Sequence, residues 1–140
     1  MVEFKYVEYV DDWGDEAWKL ETRKKFPSGS TGILYFESMG LLGDGAVRYN
    51  VVLDLQRKRK KHSEYRAVTG RDGLEPAGWV LQALQDFEQQ TEVDADWPFR
   101  IEVMADDDRR WKLYERILTK RGYTVTMVEN NRTLVKRIER

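Results

Sequence analysis

The sequence contains no cysteine and a single histidine, His62, among its 140 residues. Without cysteine the chain cannot form disulfide bonds, thiolate zinc sites or iron–sulfur clusters, and it has no cysteine nucleophile. His62 lies within a basic run, which argues against a histidine-rich metal site and against a Ser-His-Asp hydrolase. We therefore expect no bound metal.

The chain also lacks any apolar run near the length of about 18 residues that a membrane-spanning helix needs. Its first residues, MVEFKYVEYVDDWGDE, are acidic and alternating, unlike the basic start and apolar middle of a signal peptide. We expect a cytoplasmic protein without membrane contact. The length and the hydrophobic content of 41% predict one domain that spans residues 1–140.

Basic and acidic side chains are segregated along the chain, although the formal net charge is only −1. Basic residues concentrate in residues 57–61 and 109–140, and acidic residues concentrate in residues 71–108. The near-neutral total argues against a nucleic-acid-binding protein, while a local basic site for an anionic ligand stays open. The basic run at 57–61 also fits a solvated hairpin tip.

Strand predictions rest on runs of β-branched and aromatic residues and on alternation of apolar and polar side chains. The strongest run is VRYNVVLDLQ, in which Val47, Tyr49, Val51, Leu53 and Leu55 share one face. The predicted strands are residues 2–10, 32–39, 47–56, 64–70 and 99–105, followed by two strands within residues 123–138 that turn at residues 129–131.

Three helices are predicted from caps, from terminators and from apolar residues at helical spacing. The first follows Asp11 and Asp12 and ends near Phe26, because Pro27 cannot continue a helix. The second covers residues 75–90. The third begins at the three aspartates 106–108, whose charge suits a helix N-terminus, and ends at Gly122 as its C-cap.

The order of these elements is strand, helix, three strands, helix, strand, helix and two strands. Local hairpins combined with two strand–helix–strand crossovers predict an α+β fold. We expect a central mixed, mostly antiparallel sheet of about seven strands with helices on both of its faces.

The predicted order, together with IEVMADD running into RRWKLYER and closing on KRGY, resembles the GNAT N-acetyltransferase superfamily. Ile101 and Val103 match the apolar positions of the family's fifth strand, and Asp107 falls where the family commonly has asparagine. The run 113–116, Leu-Tyr-Glu-Arg, matches the family's LYEK pattern, and Gly122 with the tyrosine after it matches its closing GF. The helix between Tyr114 and Gly122 is one turn longer than in the family pattern.

This resemblance implies a single GNAT-like domain that binds acetyl-CoA in a notch beside the fourth strand and transfers the acetyl group to an amine. It implies that the backbone of Val68 and Thr69 aligns the pantetheine, and that Tyr114 protonates the departing thiolate. The other residues implied in cofactor binding are Gly70, Arg71, Asp72, Gly73, Leu74 and Asp107. The implied partners are a CoA ester and an unknown amine, with the protein a monomer or a homodimer.

Alternatives to these roles stay open at the level of sequence. Tyr114 lies on an apolar helical arc with Trp111 and Leu118, which also explains it as a packing residue. Residues 70–74 depart from the family's phosphate-loop spacing, so this loop is equally explained as a simple turn into a helix. A non-catalytic GNAT-fold binding protein that has lost CoA chemistry is therefore the alternative function.

Overall fold

Four strands form the first half of the fold. A computed structural model describes residues 2–56, 75–94, 96–105 and 108–139. The four strands pair in sequence as an antiparallel meander: β1 (Lys5–Val10), β2 (Glu16–Lys25), β3 (Thr31–Leu41) and β4 (Val47–Gln56).

The second half alternates helices with strands before it ends in a hairpin. Its elements are α1 (Glu75–Asp94), β5 (Phe99–Val103), α2 (Asp108–Leu118), a short 3₁₀ helix (Thr119–Arg121), β6 (Thr124–Val128) and β7 (Asn131–Ile138). Together the described strands form one seven-stranded sheet in the order β1-β2-β3-β4-β5-β7-β6. The sheet is mixed, because β5 runs parallel to β4 while the other neighbouring pairs are antiparallel.

Phe87 of α1 lies at the centre of the hydrophobic core. Its ring stacks on the ring of Phe36 from β3 with 4.0 Å between centroids, and both side chains are fully buried. The rings of Tyr49 and Phe99, from β4 and β5, meet the same ring edge-on at 5.1 and 6.4 Å. One helical side chain therefore joins the meander to the second half of the sheet.

Both described helices cover the same face of the sheet, so the predicted fold with helices on both faces is wrong. Lys136 of β7 lies 3.3 Å from Glu88 of α1, and Arg132, four positions earlier on that strand, lies over the ring of Trp111 from α2. Side chains four positions apart on a strand point to the same face. The fold is a largely β structure with two helices on one face, and the GNAT-like α+β architecture predicted from the order of elements does not hold.

The predicted first helix, from Asp11 to Phe26, is also wrong, because most of this segment is β2. Asp11 does not cap a helix: its carboxylate accepts hydrogen bonds from the backbone N–H groups of Trp13 and Asp15, and Gly14 adopts φ +82°. These contacts close a hairpin between β1 and β2. Trp18 and Leu20 of β2, two positions apart, then pack against the core, and Trp18 contacts the ring of Tyr49 at 5.6 Å. The segment fits the period-2 pattern of a strand as well as the helical spacing on which the prediction rested.

The remaining predictions of local structure agree with the described residues. Residues 47–56 form a strand, the second predicted helix extends to residue 94, and Gly122 has φ +94° after the 3₁₀ helix. The final hairpin turns at Glu129 and Asn130, both with positive φ. The predicted strand 64–70 lies outside the described residues. In the part of the chain that is described, no helix combines the length and apolar character needed to cross a bilayer.

Gly32 of β3 provides a sharp test of core packing. A Cβ atom at this position would lie 2.7 Å from Cζ3 of Trp79 and 2.9 Å from Cε2 of Phe26, both buried. We expect Gly32→Ala to lower the free energy of unfolding by about 1–3 kcal/mol, measured by urea denaturation. Gly78→Ala is the matched control in α1, where a Cβ meets nothing within 4 Å, and it should stabilise the protein by up to about 1 kcal/mol. Equal effects of the two substitutions would contradict this packing.

Candidate functional site

A cleft opens where β4 and β5 stop pairing. Their parallel register runs from Val47 beside Phe99 to Val51 beside Val103, and β5 ends there. β4 continues to Gln56 while it remains paired with β3 on its other side. On the side that faces β5, residues 52–56 of β4 therefore have no described strand beside them. Ligands commonly bind at the carboxyl ends of parallel strands, where the backbone leaves such an opening.

The cleft holds a cavity of about 110 Å³ that combines apolar walls with a few polar side chains. Four consecutive residues of β4 form one wall, and the end of β5 with α2 forms the other. The lining residues are Asn50, Val51, Val52, Leu53, Met104, Ala105, Arg110 and Tyr114.

Tyr114 both packs in the core and lines this cleft. Its side chain is only 3% exposed and belongs to the same core cluster as Trp111 and Leu118, which lie about one turn before and after it on α2. Trp111 is held in place by a 2.9 Å hydrogen bond from its Nε1 to Glu115. Tyr114 thus packs in the core and also borders the cleft, and its role as a proton donor stays a prediction.

One further polar side chain of α2 lines the cleft. Arg110, one helical turn before Tyr114, is 6% exposed and lines the cavity. Asn50 of β4 also borders the cavity, but its side chain points to the sheet face opposite the helices, because Tyr49 before it packs against Phe87. Its amide oxygen Oδ1 is buried without a hydrogen-bond partner among the described residues.

An ion cluster supports the two strands on the sheet face opposite the helices. The Glu102 carboxylate is 2% exposed and lies beside Asn50 in the β4–β5 register. It accepts hydrogen bonds from Nε of Arg48 at 2.7 Å and from Nε of Arg100 at 2.8 Å. These bonds to Glu102 raise the pKa of the Arg48 guanidinium, so Arg48 stays charged. The cluster fixes the separation of β4 and β5 just before they diverge.

Two other buried tyrosines lie outside the cleft and have structural roles. Burial raises the pKa of Tyr49 to about 12. Burial raises the pKa of Tyr123 further, and its hydroxyl donates a 2.7 Å hydrogen bond to the carboxylate of Glu88. Both phenols therefore stay protonated at neutral pH while they hold elements of the fold together.

Of the site residues predicted from sequence, only Tyr114 falls within the described chain. The predicted cofactor-binding residues Val68, Thr69, Asp107 and those at 70–74 lie outside it. The strand that pairs in parallel with β5 is residues 47–56, which the sequence predicted as the third strand rather than the fourth. Arg110 was not predicted as a site residue, although the spacing of Arg110 and Tyr114 as i and i+4 places both on one helical face.

A larger groove of about 670 Å³ lies at the start of β1, where Val2 to Phe4 diverge from the end of β2. Three of its charged side chains form ion pairs: Arg23 lies 3.5 Å from Glu21, and Lys24 lies 3.9 Å from Glu75. The smaller cleft between β4 and β5 is the stronger candidate, because it brings buried polar groups together.

Comparisons with protein-family models, with curated proteins and with solved structures found no match to this chain. The candidate site therefore rests on its own geometry and chemistry.

The contrast between Asn50 and Glu102 is testable. Because the Asn50 amide oxygen has no hydrogen-bond partner among the described residues, we expect Asn50→Ala to change the free energy of unfolding by less than about 1 kcal/mol. Glu102→Ala, its register neighbour, leaves two guanidinium groups without their shared carboxylate and should cost about 2–4 kcal/mol. Urea denaturation of both variants measures the difference. A large loss in Asn50→Ala would show that Asn50 is structural.

Proposed function

We propose that this protein is an acyl-CoA-dependent N-acyltransferase that uses the cleft between β4 and β5. The observation that carries the proposal is the meeting of a buried phenol, Tyr114, with a divergence of two parallel strands. The likeness of residues 99–123 to the GNAT pattern adds support from sequence, although it does not extend to the whole architecture.

The edge of β4 that no described strand covers suits the pantetheine arm of CoA. Pantetheine carries two amide groups in an extended chain, and residues 52–56 of β4 offer backbone N–H and C=O groups along one side. An extended ligand that adds to a sheet edge gains affinity from such main-chain hydrogen bonds. This role replaces the one that the sequence analysis assigned to Val68 and Thr69.

The reaction needs few protein groups. An amine attacks the thioester carbonyl, a carbon–nitrogen bond forms, the carbon–sulfur bond breaks, and the thiolate accepts a proton from the Tyr114 phenol. The attacking nitrogen releases one proton to solvent. The Tyr114 phenolate then takes one proton from solvent and returns to its neutral form. The guanidinium of Arg110, which lines the same cleft as Tyr114, is the proposed donor to the carbonyl oxygen as its negative charge develops. Orientation of two bound reactants supplies most of the rate.

The size of the cleft favours a small acyl group. Its cavity of about 110 Å³ is walled by the apolar side chains of Val51, Leu53 and Met104, which leaves no room for a long hydrocarbon tail. Acetyl-CoA is therefore the proposed donor, and the acceptor is an amine.

A non-catalytic binding protein is the second candidate, and the start of α1 favours it. Glu75 begins the helix and Pro76 follows it. A carboxylate and a residue without an N–H group both weaken a helix N-terminus as a phosphate site.

Titration with CoA and with acetyl-CoA tests the proposed function. We expect saturable heat with a dissociation constant in the range of about 1–100 µM. Arg110→Gln should weaken acetyl-CoA more than CoA, because only acetyl-CoA carries the thioester carbonyl. Gly73→Val, in the predicted phosphate loop, should weaken both ligands equally. No heat with either ligand at millimolar concentration would exclude the enzyme and leave the binding protein.

Tyr114→Phe tests the proposed acid. Because the chain has no cysteine, a thiol reagent detects only the CoA released from acetyl-CoA when a panel of primary amines is supplied. We expect turnover to fall by about 10²-fold or more while acetyl-CoA still binds. Tyr49→Phe is the matched control, since it removes the hydroxyl of another buried core tyrosine outside the cleft. Unchanged turnover in Tyr114→Phe would remove this residue as the acid.

A further inference from the structure

We propose that two copies of this chain associate by antiparallel pairing of their β6 strands into one continuous sheet. β6 is the last strand of the described sheet, with β7 on one side and no described strand on the other. An exposed strand edge presents unpaired backbone groups, and natural proteins protect such edges or use them for association.

The hairpin geometry determines which backbone groups face outward. Two residues with positive φ, Glu129 and Asn130, join β6 to β7, so the flanking pair Val128 and Asn131 is hydrogen-bonded. Hydrogen bonding alternates along an antiparallel strand. The N–H and C=O groups of Thr124, Thr126 and Val128 therefore point toward β7, and those of Val125 and Met127 point outward.

The outer edge of β6 lacks the features that protect a strand from association. Its sequence, TVTMV, has no charged residue and no proline, although 35% of the chain is charged. Val125 is 38% exposed and Met127 is 63% exposed. By contrast, the opposite edge strand, β1, carries Lys5 and Glu8 within its six residues. Charges of this kind disfavour edge-to-edge pairing, and β6 has none.

The charges that flank β6 make it complementary to itself. Residues 122–128 are uncharged, with Arg121 immediately before them and Glu129 immediately after them. Antiparallel pairing about a two-fold axis at Val125, the midpoint of this segment, brings each basic end close to the acidic end of the partner. A second copy of the chain is therefore the occupant that fits this edge, because an isologous interface needs such self-complementarity.

The same two-fold axis brings the outward backbone groups and the side chains of the two strands into pairs. Val125 meets its own copy as a hydrogen-bonded pair, which uses the outward groups of both strands. Thr124 lies opposite Thr126 of the partner copy, a cross-strand pair that stabilises sheets. The contact is short, so we expect a reversible dimer with a dissociation constant of about 10 µM, near the weak end of specific association.

Sedimentation velocity at concentrations on either side of about 10 µM tests the dimer. The wild-type protein should shift from monomer to dimer with concentration. Met127→Lys should remain monomeric, because it places two like charges beside the shared edge. Val10→Lys is the matched control: Val10 is 66% exposed on β1, and its substitution should leave dimerisation unchanged. A wild-type protein that stays monomeric throughout, or a dimer lost in Val10→Lys and kept in Met127→Lys, would overturn the proposal.

Single cysteines test the two-fold axis in a chain that has no other cysteine. Residues paired across antiparallel strands have Cα atoms about 5.5 Å apart, within the range that a disulfide spans. Val125→Cys should therefore form a disulfide-linked dimer on mild oxidation, at least about tenfold faster than Val10→Cys. Equal cross-linking of the two variants would mean that Val125 does not meet its own copy.

Discussion

The parallel pairing of β4 with β5 is the contact on which the rest of this structure depends. Parallel neighbours cannot be joined by a tight turn, so the chain must leave the end of β4, cross the sheet and return beside the start of β4. α1 makes this return, and the ring of Phe87 packs against β3, β4 and β5 together. The meander and the second half of the sheet share one core because of this crossover.

The pairing is short, and its limited length creates the candidate site. Five residue pairs join β4 to β5, and the buried carboxylate of Glu102 holds both strands from the face opposite the helices. Beyond Val103 the chain turns into α2, which brings Arg110 and Tyr114 against the end of β4. A cleft between strands thus receives its polar side chains from a helix, while the strand edge supplies a row of backbone groups.

Sequence patterns predicted the elements that are determined by interactions between residues close in sequence. Residues 47–56 alternate at every position except Val52, Gly122 ends a helix, and the final turn uses residues that accept positive φ, so each of these was predictable. The segment 16–25 was not, because Trp18 and Leu20 suit a strand and a helix alike and only pairing with β1 and β3 decides between them. Tyr114 was found as a candidate, whereas Asn50 has no local signal. Its place beside the cleft depends on which strand pairs with β5.

The arrangement of the sheet also has a consequence for the order of folding. Contacts within β1 to β4 join residues that are close in sequence, and such hairpins form quickly. The β4–β5 contact must wait until a long connection has closed, which costs loop entropy before any contact forms. The two walls of the cleft therefore come together late in folding. A molecule that occupies the cleft would hold together the part of the chain that is slowest to form.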